Sequence, residues 1–252
     1  MPTNLDALFA NKIACIVEDV FLSPEQINIF LAKLTAMPDW YEPKIPKKLQ
    51  HLFPIKDFPK HLFYTQYGFY EDGVDEAAYL KISQDYAETW KRLTTACGFD
   101  PFVLLVDYFK KKYQANLQPA HKNQQNYFTL VVRDLAKEVL PHADFGPYDG
   151  KEWAINQVEQ QLAWNIYLTA PQQGGETTIY DYVWDENTPI DENSYGIQQF
   201  NQPVKHRFKV TPGKLVLFNC RNFHAISESS APRIAIGGLI GKTKDQQLIA
   251  WA

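Results

Sequence analysis

The chain has 252 residues, 45% hydrophobic and 21% charged, with 16 Phe, 14 Tyr and 6 Trp. That is enough apolar material for a buried core, and it excludes a disordered chain. A net charge of −4 excludes a global basic field for holding nucleic acid or an anionic membrane surface, and no apolar stretch approaches the roughly 20 residues of a membrane helix. Met1 to Ala10 lacks the basic start and apolar run of a signal peptide. The three widely spaced cysteines, Cys15, Cys97 and Cys220, read as reduced thiols of a cytoplasmic protein.

In chain order, Ser23-Pro24-Glu25-Gln26 is a helix start with a capping serine and a proline in the first turn. Ile27, Phe30, Leu31 and Leu34 continue it as one apolar stripe. The Pro- and Lys-rich segment from Pro38 to Pro59 predicts an irregular loop or a lid. A second helix is predicted over about 75–96, where Tyr79, Ile82, Tyr86, Trp90 and Leu93 recur at helical steps before Gly98. Phe102 to Phe109 and Tyr127 to Leu135 read as strands from their Val, Leu and aromatic content, with Lys110 to Lys112 as a solvated strand end and Gln114 to Gln125 as a mobile loop.

Short strands follow at Val139 to His142, Gln161 to Leu168, Glu176 to Tyr180, His206 to Val210, Lys214 to Asn219 and Arg233 to Ile240. Such spacing predicts a sandwich or barrel. A Gly174-Gly175 pair and the turn Thr211-Pro212-Gly213 separate some of them, and a polar excursion runs from Asp185 to Ser194.

Two stretches carry the chemistry, Pro141-His142-Ala143-Asp144 and Asn222-Phe223-His224, with Arg233 beyond. A His and a carboxylate one residue apart on a strand face the same side. A second His from a distant strand completes a set of two imidazoles and one carboxylate, the facial triad of non-heme Fe(II) sites. His-x-Asp is also a pattern that chance supplies often. Cys220 reads as packing, and His51, His61, His121 and His206 lack a partner at ligand spacing. Arg133 faces either the interior or solvent, and Phe145, Tyr148 and Trp153 either pack or line a pocket.

The order of Trp164-Asn165-Ile166-Tyr167-Leu168, Gly174-Gly175-Glu176-Thr177, Pro212-Gly213-Lys214-Leu215-Val216-Leu217-Phe218 and Phe223-His224-Ala225-Ile226 around these residues resembles the Fe(II)/2-oxoglutarate-dependent oxygenase superfamily. Its amino-acid and alkaloid hydroxylase and halogenase group is the most similar. The resemblance covers about 127–241. It implies an α+β, mainly β fold: a double-stranded β-helix (jelly-roll) core with N-terminal helical support. The chain is then one domain, with 1–125 as helical support and lid segments, 126–242 as the catalytic core and 243–252 as a tail.

It further implies that His142, Asp144 and His224 bind Fe(II), and that Arg233 anchors the far carboxylate of 2-oxoglutarate, with O2 as second cosubstrate. Many members carry a Ser two residues after that Arg; here it is Ala235, so either another hydroxyl assists, with Tyr127, Thr178 and Tyr180 as candidates, or none does. In halogenases a small residue replaces the carboxylate, so Asp144 favours hydroxylation. The leading expectation is hydroxylation of an unactivated C–H bond in a small molecule, an amino acid or specialised metabolite, with 2-oxoglutarate decarboxylated to succinate. The alternatives are a prolyl-hydroxylase-like enzyme acting on a peptide or protein, and a non-catalytic jelly-roll module. Neither nucleic acid nor membrane is an expected partner, and oligomeric state is left open.

Overall fold

A computed structural model describes residues 3–36, 75–136, 138–149, 152–187 and 200–252. The expected lid, Pro38 to Pro59, and most of the polar excursion after Asp185 lie outside the described residues, as do His51 and His61.

Two antiparallel sheets form the body. Among the described residues the larger has seven strands, beginning at one edge with β1 (Cys15–Glu18). Next come β10 (Leu215–Phe218), β7 (Val158–Tyr167) and β12 (Ile234–Thr243). Beyond β12 lie β13 (Leu248–Trp251) and β2 (Leu117–Pro119), while β5 (Val131–Asp134) pairs with the first half of β12. Only the β13–β2 pair is parallel. The smaller sheet runs β6 (Val139–His142), β11 (Asn222–Ile226), β8 (Thr177–Val183) and β9 (Val204–Phe208). A short hairpin pairs β3 (His121–Lys122) with β4 (Gln125–Asn126). Two facing sheets built in this way are the jelly-roll class expected from the resemblance.

Strand alternation sorts β7 into two faces. Leu162, Trp164, Ile166 and Leu168 join the main core with the helices, whereas Ala163, Asn165 and Tyr167 face the space between the sheets. The helices behind the larger sheet are α1 (Asn4–Phe9), α2 (Pro24–Ala36), α3 (Glu76–Cys97) and α4 (Pro101–Tyr113). At the start of α2, Gln26 N donates to Ser23 Oγ (3.2 Å) and Ser23 N to Gln26 Oε1 (2.9 Å), a reciprocal capping box. At its end, α3 stops on Gly98 in the left-handed region (φ 76°).

Four sequence expectations need correction. Phe102 to Phe109 is not a strand: it lies in α4, where Phe102, Leu105 and Phe109 are buried at helical spacing. Asp100 caps that helix through Phe102 N (2.8 Å), Pro101 opens it, and Lys110 to Lys112 occupy its last turn, where cations favour the dipole. The stretch Gln114 to Gln125 contains β2 and half of the small hairpin, so it is not a bare loop. The strand expected over Tyr127 to Leu135 shrinks to β5. Finally, the 243–252 tail contains β13, an integral strand whose Leu248, Ile249, Ala250 and Trp251 are all buried.

The Gly174-Gly175 pair has a steric reason. Both residues have positive φ, and a Cβ on Gly174 would lie 1.9 Å from Glu228 O. Gly174→Ala is therefore expected to destabilise the fold by about 1–3 kcal/mol, read as a lowered denaturation midpoint at unchanged m. A midpoint equal to that of the parent would contradict this packing.

Candidate metal centre

His142 ends β6, and His224 sits in the middle of β11 directly across from it in the antiparallel register. Their ring centroids are 4.2 Å apart. Asp144 follows two residues after His142, and its Oδ2 is 3.5 Å from His224 Nε2. One ligand atom from each of the three lies within 4.8 Å of the others, and they form the one such His/Cys/Asp/Glu group among the described residues.

The imidazoles are oriented from behind. His142 Nδ1 lies 2.8 Å from Leu140 O, and His224 Nδ1 lies 3.0 Å from Asn222 O. A carbonyl only accepts, so in both rings Nδ1–H is the donor, which makes Nε2 the ligand atom each ring can offer. Burial, and then the neighbouring His224, pull the His142 pKa down to about 4, so this ring is neutral near pH 7. Asp144 moves the other way. Burial opposes its ionisation, but the contact with His224 and the nearby positive groups outweigh it and hold the carboxyl at about 2.

His224 Nε2 thus stands 3.5 Å from the Asp144 carboxylate, and a cation bound between two such donors would suit both. Two neutral nitrogens and one anionic oxygen on one side of such a cation fit Fe(II) and leave further positions for small ligands.

Asp144 is placed through its main chain. Its N donates to Cys220 O (2.9 Å), and its own carbonyl accepts from Gln161 Nε2 (3.0 Å). Gln161, on β7 and fully buried, also accepts from Gly146 N through Oε1 (2.9 Å), so one side chain grips the loop on both sides of the carboxylate. Gly146 begins the single turn α5 (Gly146–Asp149). Cys220 Sγ lies 3.3 Å from Gln161 Nε2, and burial pushes its thiol well up, which suits the packing role and not a nucleophile.

The triad opens into a cavity of about 140 Å³ between the sheets, lined among others by Arg133, Asn165, Tyr167, Thr177, Phe218 and Arg233. Arg233 precedes β12 and is 2% exposed. Its Nε donates to Gly175 O (3.0 Å), its Nη2 donates to Thr177 Oγ1 (2.8 Å), and its guanidinium lies 5.1 Å from the centre of the Tyr167 ring. The second glycine of the pair therefore supplies a carbonyl that aims this side chain. A cation so held, close to the metal-type donors, fits one end of a dicarboxylate.

The three expected helpers are elsewhere. Tyr127 donates to Glu76 and packs on Tyr79 and Trp153 on the helical side of the larger sheet. Thr178 accepts from Arg207 Nε (3.1 Å) on the opposite face of β8 from Thr177. Tyr180 stacks edge-on with Phe200. The residues that do meet Arg233 are Thr177, the neighbour of Thr178, and Tyr167 of the Trp164–Leu168 motif. Phe145 lines the cavity, Tyr148 is 38% exposed against Trp184, and Trp153 packs in the core.

Comparison with known proteins agrees with this architecture. The family model described as "Carrier-protein-independent halogenase WelO5" matches residues 2–252. Leucinostatins biosynthesis cluster protein S of Purpureocillium lilacinum is 28% identical over 198 residues, 71% of this chain and 79% of the relative. The L-gamma-glutamyl-L-propargylglycine hydroxylase of Streptantibioticus cattleyicolor is 29% identical over 177 residues, 66% of this chain and 65% of that one. Among solved structures, an N-substituted L-amino acid dioxygenase from Burkholderia ambifaria AMMD has the same fold at a TM-score of 0.60 and 16% identity, covering 96% of this chain and 88% of its own. With a jelly roll, a His-Asp-His triad that shares its cavity with Arg233, and a match along almost its whole length, this chain is an enzyme of the family of the carrier-protein-independent halogenase WelO5, within the Fe(II)/2-oxoglutarate-dependent oxygenases.

Proposed function

We propose that the enzyme hydroxylates an unactivated C–H bond of an amino acid or another small specialised metabolite and that it does not transfer halide. The observation that carries this reading is Asp144, whose ionised carboxylate stands beside His224 Nε2, in the place where a halide would have to bind. In this reading His142, Asp144 and His224 hold Fe(II), and Arg233, supported by Thr177 and Tyr167, holds the far carboxylate of 2-oxoglutarate. Held there, the metal and its cosubstrate would supply the oxidising chemistry, in which O2 would give one oxygen atom to succinate as CO2 leaves and the other to the C–H bond.

The chain's own contribution is placement and exclusion. Phe218 packs edge-on against His224 at 5.0 Å, and Phe145, Ala163 and Leu239 make the remaining walls largely apolar. Apolar walls of this kind limit the access of water to reacting atoms. The relatives named for propargylglycine-containing and isoleucine substrates support an amino-acid-derived substrate. Three unpaired cysteines suit a reducing, cytoplasmic setting, and no described helix is long and apolar enough to cross a membrane.

The test is incubation with Fe(II), ascorbate, 2-oxoglutarate, O2 and chloride across a panel of amino acids and small peptides, with succinate and products followed by mass spectrometry. Hydroxylated product equal in amount to succinate is expected. A chlorinated product would refute the reading, and bound iron without any succinate would favour a binding module.

A further inference from the structure

We propose that Arg133 is the substrate-recognition residue of this cavity and that it receives a carboxylate of the substrate. The inference rests on the oxygenase reading above. Arg133 lies on β5 opposite Ala235 of β12, which in turn faces Tyr167 of β7. Arg233 lies two residues before Ala235, just ahead of β12, and both guanidinium-bearing side chains line the same cavity as His142 and Asp144.

Their circumstances differ. Arg233 is committed to Gly175 O, Thr177 Oγ1 and the Tyr167 ring. Arg133 makes no hydrogen bond or ion pair with any described residue, although it is half-buried. The neighbouring acid does not serve it, because Asp134 turns to the other face and accepts from Arg233 N (2.8 Å). Asp144 feels its charge but is held against His224 as part of the triad. Burial depresses the Arg133 pKa, yet a guanidinium remains charged, so a cation with no ion-pair partner among the described residues borders the cavity.

A charge count identifies what is missing. The two positive charges of Fe(II) and the one on Arg233 are balanced by Asp144 and the two carboxylates of 2-oxoglutarate. Arg133 is left over. A half-buried surplus cation in a cavity with apolar walls calls for one further anion, and the molecule still to enter is the substrate. A guanidinium presents paired N–H groups that match a carboxylate and have no equivalent match in an amide or ester. Asn165, also in the cavity and next to Gly237 across β12, offers a neutral amide to a second polar group of the same molecule.

The experiment uses the whole enzyme under anaerobic conditions, with the visible charge-transfer absorption of the Fe(II)·2-oxoglutarate complex as readout. L-Isoleucine, L-leucine and a γ-glutamyl dipeptide are each titrated against their C-terminal amides. In the parent enzyme the acids are expected to perturb the band at lower concentration than the amides. In Arg133→Gln the acid is expected to bind on the order of 30-fold or more weakly while the 2-oxoglutarate titration is unchanged. Arg133→Lys, which keeps the charge but loses the fork, is expected to fall between.

If Arg133→Gln weakens 2-oxoglutarate, the residue belongs to the cosubstrate and the proposal is wrong. It is equally wrong if the band forms in the parent but no acid in the panel is preferred to its amide. Absence of the band in the parent enzyme would instead refute the oxygenase reading itself. Because the acid–amide comparison is made first in the parent enzyme, a folding defect in one variant does not decide the outcome.

Discussion

Asp144→Ala is expected to lower hydroxylation by on the order of 100-fold or more, with succinate formation falling alongside. The carboxylate is the sole anion among the three donors, and its pKa of about 2 keeps it ionised throughout the working range of the enzyme. Its removal leaves two neutral imidazoles for a divalent cation. Asp144→Glu is not expected to rescue, because Gln161 and Cys220 fix the main chain at this position and the longer side chain carries its oxygens past the point set by that backbone. Iron content and product yield, measured together by metal analysis and mass spectrometry, separate lost binding from lost turnover. Parental turnover in Asp144→Ala would remove this residue from the ligand set.

Arg233→Ala is expected to raise the 2-oxoglutarate concentration needed for half-maximal rate by about 100-fold, in line with stranding one partner of a buried charge pair. The half-saturating Fe(II) concentration should move little, since Arg233 touches Gly175, Thr177 and Tyr167 and none of the triad. Arg233→Lys should recover only part of the loss, because an ammonium cannot hold Thr177 and a carboxylate with the same planar geometry. The check is steady-state kinetics with each ligand varied in turn. If iron binding collapses while the 2-oxoglutarate requirement stays the same, the anchor lies elsewhere.

Much of this was legible because the motifs are local. His142 and Asp144 sit two residues apart, so strand periodicity alone puts them on one side, and the glycine pair announces positive φ wherever it falls. What the sequence hid depends on register and on long-range packing. Thr177 and Thr178 are adjacent hydroxyls, and only the pairing of Thr177 with Ile226 on β11 turns the first toward Arg233 and the second toward Arg207. Gln161 looked like an unremarkable strand residue; its role appears once the Asp144 loop is brought across β7. In α4, the Val, Leu and aromatic content suggests a strand, but the cap at Asp100 and the spacing of Phe102, Leu105 and Phe109 decide for a helix. The tail carried too few residues to show that β13 completes a sheet.

The cross-strand pairing of His142 with His224 has a mechanical meaning. Strand β6 is the edge of the smaller sheet and is joined to β11 through a register interrupted by a bulge between His224 and Ile226. An ion held by both rings and by Asp144 would act as a staple across that seam, tying an edge strand and the loop after it to the centre of the sheet. Occupancy of the site and cohesion of the edge are then one equilibrium: each decade of free metal above its dissociation constant adds about 1.4 kcal/mol to the closed seam. Under the proposed ligand set, this border of the sheet would be firmer with metal bound than without it.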